Sequence, residues 1–233
     1  MVGFDGDDTL WHSEGYYQNA AAEFERIVGG WIDVRDAGVR ERLHAVERRN
    51  LKLFGYGAKG MTLSMVEAAI ELTDSRIGAQ DIHRIVALGR SVLEHPVELL
   101  PGIRAAVEAV ARDHRVVLIT KGDLFHQESK VARSGLGDLF QRIEIVSEKN
   151  EASYARVLAE FDVAATAFAM IGNSLRSDIE PVIGLGGWGI HMPYRVTWAH
   201  ELEHGVERGH PRVITIASAA EIADAVACCG QES

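Results

Sequence analysis

The apolar positions of this chain change their period twice along its length. Near the start, and again from about residue 115 onward, they gather into short runs bounded by turn residues. Val2–Phe4, Arg115–Thr120, Ile143–Ser147, Ala167–Gly172, Gly187–His191 and Val213–Ile216 read as strands. The runs Val117-Leu118-Ile119 and Ala167-Phe168-Ala169-Met170-Ile171 show no polar alternation. Strands of that kind are buried on both faces, as in a parallel sheet covered by helices. Helix-like stretches lie between them, at Gly102–Asp113, Leu124–Ser134, Glu151–Phe161, Ser177–Ile183 and Ser218–Cys228. Strand alternating with helix predicts an α/β fold with a doubly wound, mainly parallel sheet.

Between Ser13 and Pro96 the pattern is different. No strand is legible there, and apolar residues recur at helical spacing, as at Ala45, Leu51, Leu53, Val66, Ile70 and Ile77. A stretch of about 80 residues is far longer than a crossover between parallel strands requires. It reads as an inserted α-helical domain over 13–97, with the core formed by 1–12 and 98–233. Pro96 and the Pro101-Gly102 pair mark the return to the core. Within the insertion, Asn50 to Met61 carries three glycines, two aromatics and two lysines, and reads as a loop between helices.

Composition narrows the classes. The 233 residues are 47% hydrophobic and carry a net charge of −10. The apolar content suffices for a packed core, and the acid excess argues against a nucleic-acid partner. The longest apolar stretch, Val163 to Gly172, is about half the length of a membrane span. Three aspartates in the first eight residues leave no secretory signal legible. The two cysteines, Cys228 and Cys229, are adjacent and make neither a disulfide framework nor a zinc spacing, so a cytoplasmic location is expected. Val2–Phe4 is short for a buried strand, which leads to the expectation that the natural chain begins upstream of Met1.

The candidate chemistry starts at Phe4-Asp5-Gly6-Asp7-Asp8-Thr9-Leu10, which puts three carboxylates after the first strand. Ligands of open parallel sheets bind at that end, and crowded carboxylates call for a compensating hard cation. An EF-hand loop is excluded, because it would need Gly at Leu10 and Glu at Tyr16.

Asp-x-Asp-x-Thr-Leu after a first strand resembles the first motif of the haloacid dehalogenase-like (HAD) superfamily. Three more motifs follow in order: Thr120 in Val117-Leu118-Ile119-Thr120-Lys121-Gly122-Asp123; Lys149 in Ser147-Glu148-Lys149-Asn150; and Asp178 in Gly172-Asn173-Ser174-Leu175-Arg176-Ser177-Asp178. The resemblance covers nearly the whole chain. It implies a Rossmann-like core with a helical cap of the C1 type, as in subgroup I, and a cytoplasmic, magnesium-dependent phosphatase acting on a small-molecule phosphate ester. Asp5 would be the nucleophile, and Asp7 the general acid and then base, with a pKa above that of a free Asp. Mg²⁺ would be held by the Asp5 carboxylate, the Asp7 backbone carbonyl and Asp178. Asn173, where Asp is common, either binds the metal directly or orients a bound water. Thr120, Lys121, Gly122 and Lys149 would hold the phosphate.

Other readings stay open. A 2-haloacid dehalogenase, a phosphomutase and a non-catalytic phosphate- or metal-binding member share much of this pattern. The second aspartate, Asp7, and Asp178 favour phosphoryl transfer over dehalogenation. A signalling receiver would not need the insertion. Lys52, Lys59 and His12 are candidate substrate contacts, set against a solvated lysine loop and a structural histidine. Trp11 reads as core packing. His191, His200, His204 and His210 cluster late, with His200 and His204 on one face if that stretch is helical; the neighbouring Glu201, Glu203 and Glu207 read as a solvated acidic helix. Whether the protein is a monomer or a homodimer is not legible.

Overall fold

The computed structural model describes residues 1–33, 38–196, 198, 201–202 and 204–230. The chain divides into two compact units. Met1–Glu14, Val97–Lys121 and Gln127–Ser233 form one, and Gly15–Pro96 with Gly122–His126 form the other.

The first unit is built on a Rossmann-like six-stranded sheet. Its strands are β1 (Val2–Phe4), β2 (Val116–Lys121), β3 (Arg142–Val146), β4 (Ala169–Gly172), β5 (Trp188–His191) and β6 (Val213–Thr215). They lie in the order β3-β2-β1-β4-β5-β6, and every neighbouring pair is parallel. The period-two geometry of a strand sorts β2 between two cores. Val116 and Leu118 join one with Val2, Phe4, Ile171 and Ile190, while Val117 and Ile119 join the other with Phe168 and Met170. The first core is closed by helices with Ile103, Val107, Val110, Ile222 and Val226, the second by Tyr154, Val157 and Leu158. Gly3 points to the second face, where a Cβ would meet the Phe168 ring at 2.7 Å. Aromatic bulk from β4's leading edge thus fills the space that β1 leaves.

The second unit packs α1 (Glu14–Val28), α2 (Val39–Phe54), α3 (Ala58–Leu72) and α4 (Ala79–Glu94). Phe24, Ile27 and Val28 meet Leu43, Val46, Met65, Ala68, Ile85 and Val92 in a separate core. Gly89 of α4 allows close approach to α3, since a Cβ there would fall 1.8 Å from the Thr62 hydroxyl. The loop expected over Asn50 to Met61 is corrected. Helix α2 runs on to Phe54 and α3 begins at Ala58. Gly55 (φ 70°) and Gly57 (φ 102°) concentrate the reversal into three residues.

The strands are connected by α5 (Ile103–Ala111), α6 (Leu124–Ser134, which belongs to the first unit from Gln127 on), α7 (Glu151–Glu160) and α8 (Glu180–Gly184), and α9 (Ile222–Cys228) follows β6. Asn150 and Ser153 form a reciprocal capping box that starts α7 immediately after Lys149. The stretch Ser177–Ile183, read as helix, is helical throughout, but its first part is not an α-helix. A wide π-helical turn spans Leu175–Ile179, and α8 follows with Pro181 in its first turn. Among the described residues, no helix is long and apolar enough to cross a membrane.

Candidate active site

Four loops leave the carboxyl ends of the adjacent strands β3, β2, β1 and β4. Each strand end carries between one and three of the expected residues. Asp5 follows β1 and is 6% exposed; Thr120, near the end of β2, is 1% exposed; Lys149 follows β3 at 5%; Asp178 follows β4 at 1%. Lys149 Nζ donates to Asp5 Oδ1 at 2.5 Å and to Asp178 Oδ1 at 2.6 Å. One buried ammonium thus bridges two buried carboxylates.

Local geometry explains how Asp178 reaches this point. The π turn sends its side chain back over the end of β4, where the Ser174 N–H donates to Asp178 Oδ2 at 3.0 Å. A Cβ on Gly172 would lie 2.2 Å from that oxygen, so only glycine leaves room. Burial pushes the Asp5 pKa up; Lys149 pulls it down and Asp178 pushes it up again, leaving it at about 7. Lys149 is driven the other way. Burial disfavours its charge, but Asp178 and Asp5 outweigh that and hold it protonated.

On the other side of Asp5, Thr9 donates its hydroxyl to Asp5 Oδ2 at 3.1 Å. The Asn173 amide faces the same group. With its nitrogen inward it donates to the Asp7 backbone carbonyl (3.1 Å), to Asp5 Oδ2 (3.2 Å) and to Thr9 Oγ1 (3.3 Å). With its oxygen inward, Asp5, the Asp7 carbonyl and Asn173 make an all-oxygen set, the donor chemistry that Mg²⁺ takes. Among the described residues no three Asp, Glu, His or Cys side chains form a metal cage. The fit therefore rests on a main-chain carbonyl and an amide beside the carboxylates.

Asp7 lies in a second setting. Lys130 Nζ donates to its Oδ1 at 2.6 Å and its Oδ2 at 2.8 Å, Trp11 Nε1 to Oδ1 at 2.6 Å, and Gln127 Nε2 to Oδ2 at 3.1 Å. Burial pushes the Asp7 pKa up, but the Lys130 charge and the hydrogen bonds from Lys130, Trp11 and Gln127 together bring it below the usual carboxylate value. The expectation of a raised Asp7 pKa is corrected: no local pattern marks the distant Lys130 as its partner. Trp11 is buried as expected, yet its indole N–H serves Asp7.

Lys121 is committed elsewhere. Its Nζ donates to Ser177 Oγ at 2.8 Å and to Glu201 Oε1 at 2.5 Å. Ser174 and Ser177 hydroxyls also donate to Glu201. Burial pushes the Glu201 carboxyl up, but Lys121 and the two serines hold it down at about 2. Glu201 is 8% exposed and sits inside this network, which corrects the reading of a solvated acidic helix. The network ties the motif after β4 to the end of β2.

The remaining candidates separate. Gly122, at φ 142°, opens the segment that groups with the helical unit. In that unit Lys59 pairs with the Asp123 carboxylate at 2.9 Å, and Lys52 is exposed on α2. His12 Nδ1 lies 2.6 Å from the Tyr194 hydroxyl. His191 Nε2 lies 3.1 Å from the Asn173 carbonyl, while His204 and His210 each accept from a backbone N–H two residues on. His200 and Glu203 lie outside the described residues. Gln127, Lys130, Ser174, Ser177 and Glu201 are the site's partners that sequence reading missed. The available signal was Gln127 and Lys130 at i and i+3, on one face of the helix that follows Thr120.

Sheet order and strand-end chemistry together define the class, a Rossmann-like α/β protein with a buried Asp–Lys–Asp group at the strand ends. A family model of haloacid dehalogenase-like hydrolases matches residues 1–186, and the chain belongs to that family. A haloacid dehalogenase-like family hydrolase from Xanthomonas campestris is 57% identical, with a TM-score of 0.89 over 98% of this chain and 90% of its own. The fold is shared more distantly by YfnB from Bacillus subtilis, bound to magnesium (16% identity, TM-score 0.64, 97% of each chain covered), and by a 2-haloacid dehalogenase from Pseudomonas syringae (18%, 0.61, 97% of each). No curated protein matches the sequence.

Proposed function

We propose that this hydrolase is a magnesium-dependent phosphatase of small phosphomonoesters. The carrying observation is the buried group of Asp5, Lys149 and Asp178 beside an all-oxygen set from Asp5, the Asp7 carbonyl and Asn173. Mg²⁺ would be held by that set together with Asp178, and when bound it offsets phosphate charge and lets an anionic carboxylate meet an anionic ester.

In the first step Asp5 attacks phosphorus, the ester P–O bond breaks, and the leaving oxygen takes a proton from Asp7. In the second, water loses a proton to Asp7 and attacks the aspartyl phosphate, releasing phosphate and regenerating Asp5. Lys149 supplies positive charge beside the nucleophile, and the Thr120 hydroxyl is available to a phosphoryl oxygen. Asp7, held as a carboxylate by its three donors, is prepared for the base step; for the acid step it takes up a proton as substrate binds. Substrate choice is assigned to the helical insertion, acting as a cap, by resemblance to capped relatives.

One observation favours a second reading. A halide leaves without a proton, so an ionised Asp7 is compatible with 2-haloacid dehalogenation. The deciding test offers the protein an aryl phosphate with Mg²⁺ and, separately, a 2-haloacid. The phosphatase reading expects phosphate release that stops on chelation with EDTA and no halide release; halide release without phosphate release contradicts it.

A further inference from the structure

Gln127 and Lys130 belong to none of the motifs above, and their contacts go beyond what holding α6 in place requires. Lys130 is 6% exposed, and its ammonium spans both oxygens of Asp7. Burying a lysine is costly, and an apolar side chain would pack there without that cost. Gln127 is 2% exposed. Its Nε2 is shared among Asp7 Oδ2 (3.1 Å), Thr120 Oγ1 (3.0 Å) and the Lys121 carbonyl (2.7 Å). An amide nitrogen carries two hydrogens for these three acceptors. Its Oε1, by contrast, is buried and has no hydrogen-bond partner among the described residues. An unpaired buried acceptor lowers stability. The donor end of Gln127 is therefore turned to the acid/base residue and the hydroxyl of the second motif, at the expense of its acceptor end.

We propose that Lys130 and Gln127 are positioning residues that fix the Asp7 carboxylate against Thr120, in the orientation from which it serves the leaving oxygen. This rests on the phosphatase reading. Lys130 sets the tilt through both carboxylate oxygens, Trp11 restrains Oδ1, and Gln127 locks Oδ2 to the end of β2. A carboxylate released from these three donors would still titrate, but it would sample other rotamers and meet the leaving oxygen less often.

The test uses the full chain with Mg²⁺ and two esters, 4-nitrophenyl phosphate and phenyl phosphate. The first leaving group departs with little help from a proton; the second needs more. Lys130→Met is expected to lose kcat on phenyl phosphate by about tenfold or more beyond its loss on 4-nitrophenyl phosphate. Its KM should stay nearly unchanged on both. Gln127→Leu should shift the same ratio in the same direction by less, and it carries the test if Lys130→Met does not fold. Lys130→Arg, which keeps the charge, should recover part of the ratio. Equal losses on both esters, or losses confined to KM or to melting temperature, overturn the positioning role while leaving the phosphatase reading intact. A wild type that releases phosphate from neither ester overturns that reading, and the proposal falls with it.

Discussion

Asp5 and Asp7 are two residues apart on one loop, yet their surroundings drive them in opposite directions. Asp5 shares a single lysine with Asp178 and lies deeply buried, so its pKa rises to about 7. Asp7 has the Lys130 ammonium across both its oxygens, plus an indole and an amide N–H, and its pKa falls. The ratio of cations to carboxylates decides the difference. Around Asp5 there is one ammonium for two carboxylates, a deficit that a hard cation would make good. Around Asp7 the Lys130 ammonium offsets the Asp7 charge, while the adjacent Asp8 is pushed up to about 7 by burial and by Asp7, and what the extra donors on Asp7 add is orientation. Environments that separate neighbouring carboxylates commonly divide catalytic roles between them.

The contrast breaks most sharply at Lys149. Lys149→Met leaves two buried carboxylates with no cation between them, an expected loss of about 3–5 kcal/mol at neutral pH. Chemical denaturation at pH 7 and pH 5 would check this, with a smaller loss at pH 5, where Asp5 takes up a proton. A third carboxylate extends the comparison. Glu201 is held at about 2 in the folded chain and would titrate near 4.5 unfolded. Its stabilisation is therefore present above about pH 4.5 and lost as pH falls toward 2, roughly 3 kcal/mol over that window. Glu201→Gln should flatten that part of the acid denaturation curve; an unchanged curve would remove Glu201 from the network.

Magnesium sharpens the comparison next. The raised Asp5 pKa means protons compete with a cation below pH 7, so binding should weaken as pH falls. At 100 times its dissociation constant, Mg²⁺ should add about 2–3 kcal/mol of stability at pH 8 and much less at pH 5.5, as read by thermal shift. Gly172→Ala should abolish that shift, because its new methyl occupies the place of the Asp178 carboxylate. The smallest effect is expected from Lys130→Met. It leaves one partly open carboxylate without its cation but still bonded to Trp11 and Gln127, about 1–2 kcal/mol, against the larger loss at Lys149. Equal losses at the two lysines would erase the distinction between the two aspartates.

How much of this was legible in the sequence depended on whether the signal was local. The sheet was legible because Val117-Leu118-Ile119 and Ala169-Met170-Ile171 are apolar on both faces, a mark each strand carries by itself. Asp5, Thr120, Lys149 and Asp178 were legible as the four motifs of the family resemblance, taken in chain order at or after the ends of β1, β2, β3 and β4. The pairing of Asp7 with Lys130 was not. The two are 123 residues apart, joined by the placing of α6 beside the end of β1, and nothing in either segment names the other. Glu201 was misread for the same reason: in the sequence it lies among acidic residues and histidines, while in the fold it meets Lys121 from 80 residues away. The π turn after β4 escaped because helical periodicity does not distinguish a wide turn from an α-helical one over five residues. Only the need to bring Asp178 over Gly172 makes the difference visible.

The most direct measurement is phosphate release from 4-nitrophenyl phosphate by the wild type and by Asp5→Asn, each with Mg²⁺ and with EDTA. Asn keeps the shape of the side chain and removes the nucleophile. Release by the wild type with Mg²⁺ alone, falling at least about 10³-fold in a folded Asp5→Asn variant, is the expected result. Release that Asp5→Asn retains within tenfold, or that EDTA leaves untouched, would contradict the assignment of Asp5 as the nucleophile of a magnesium-dependent phosphatase.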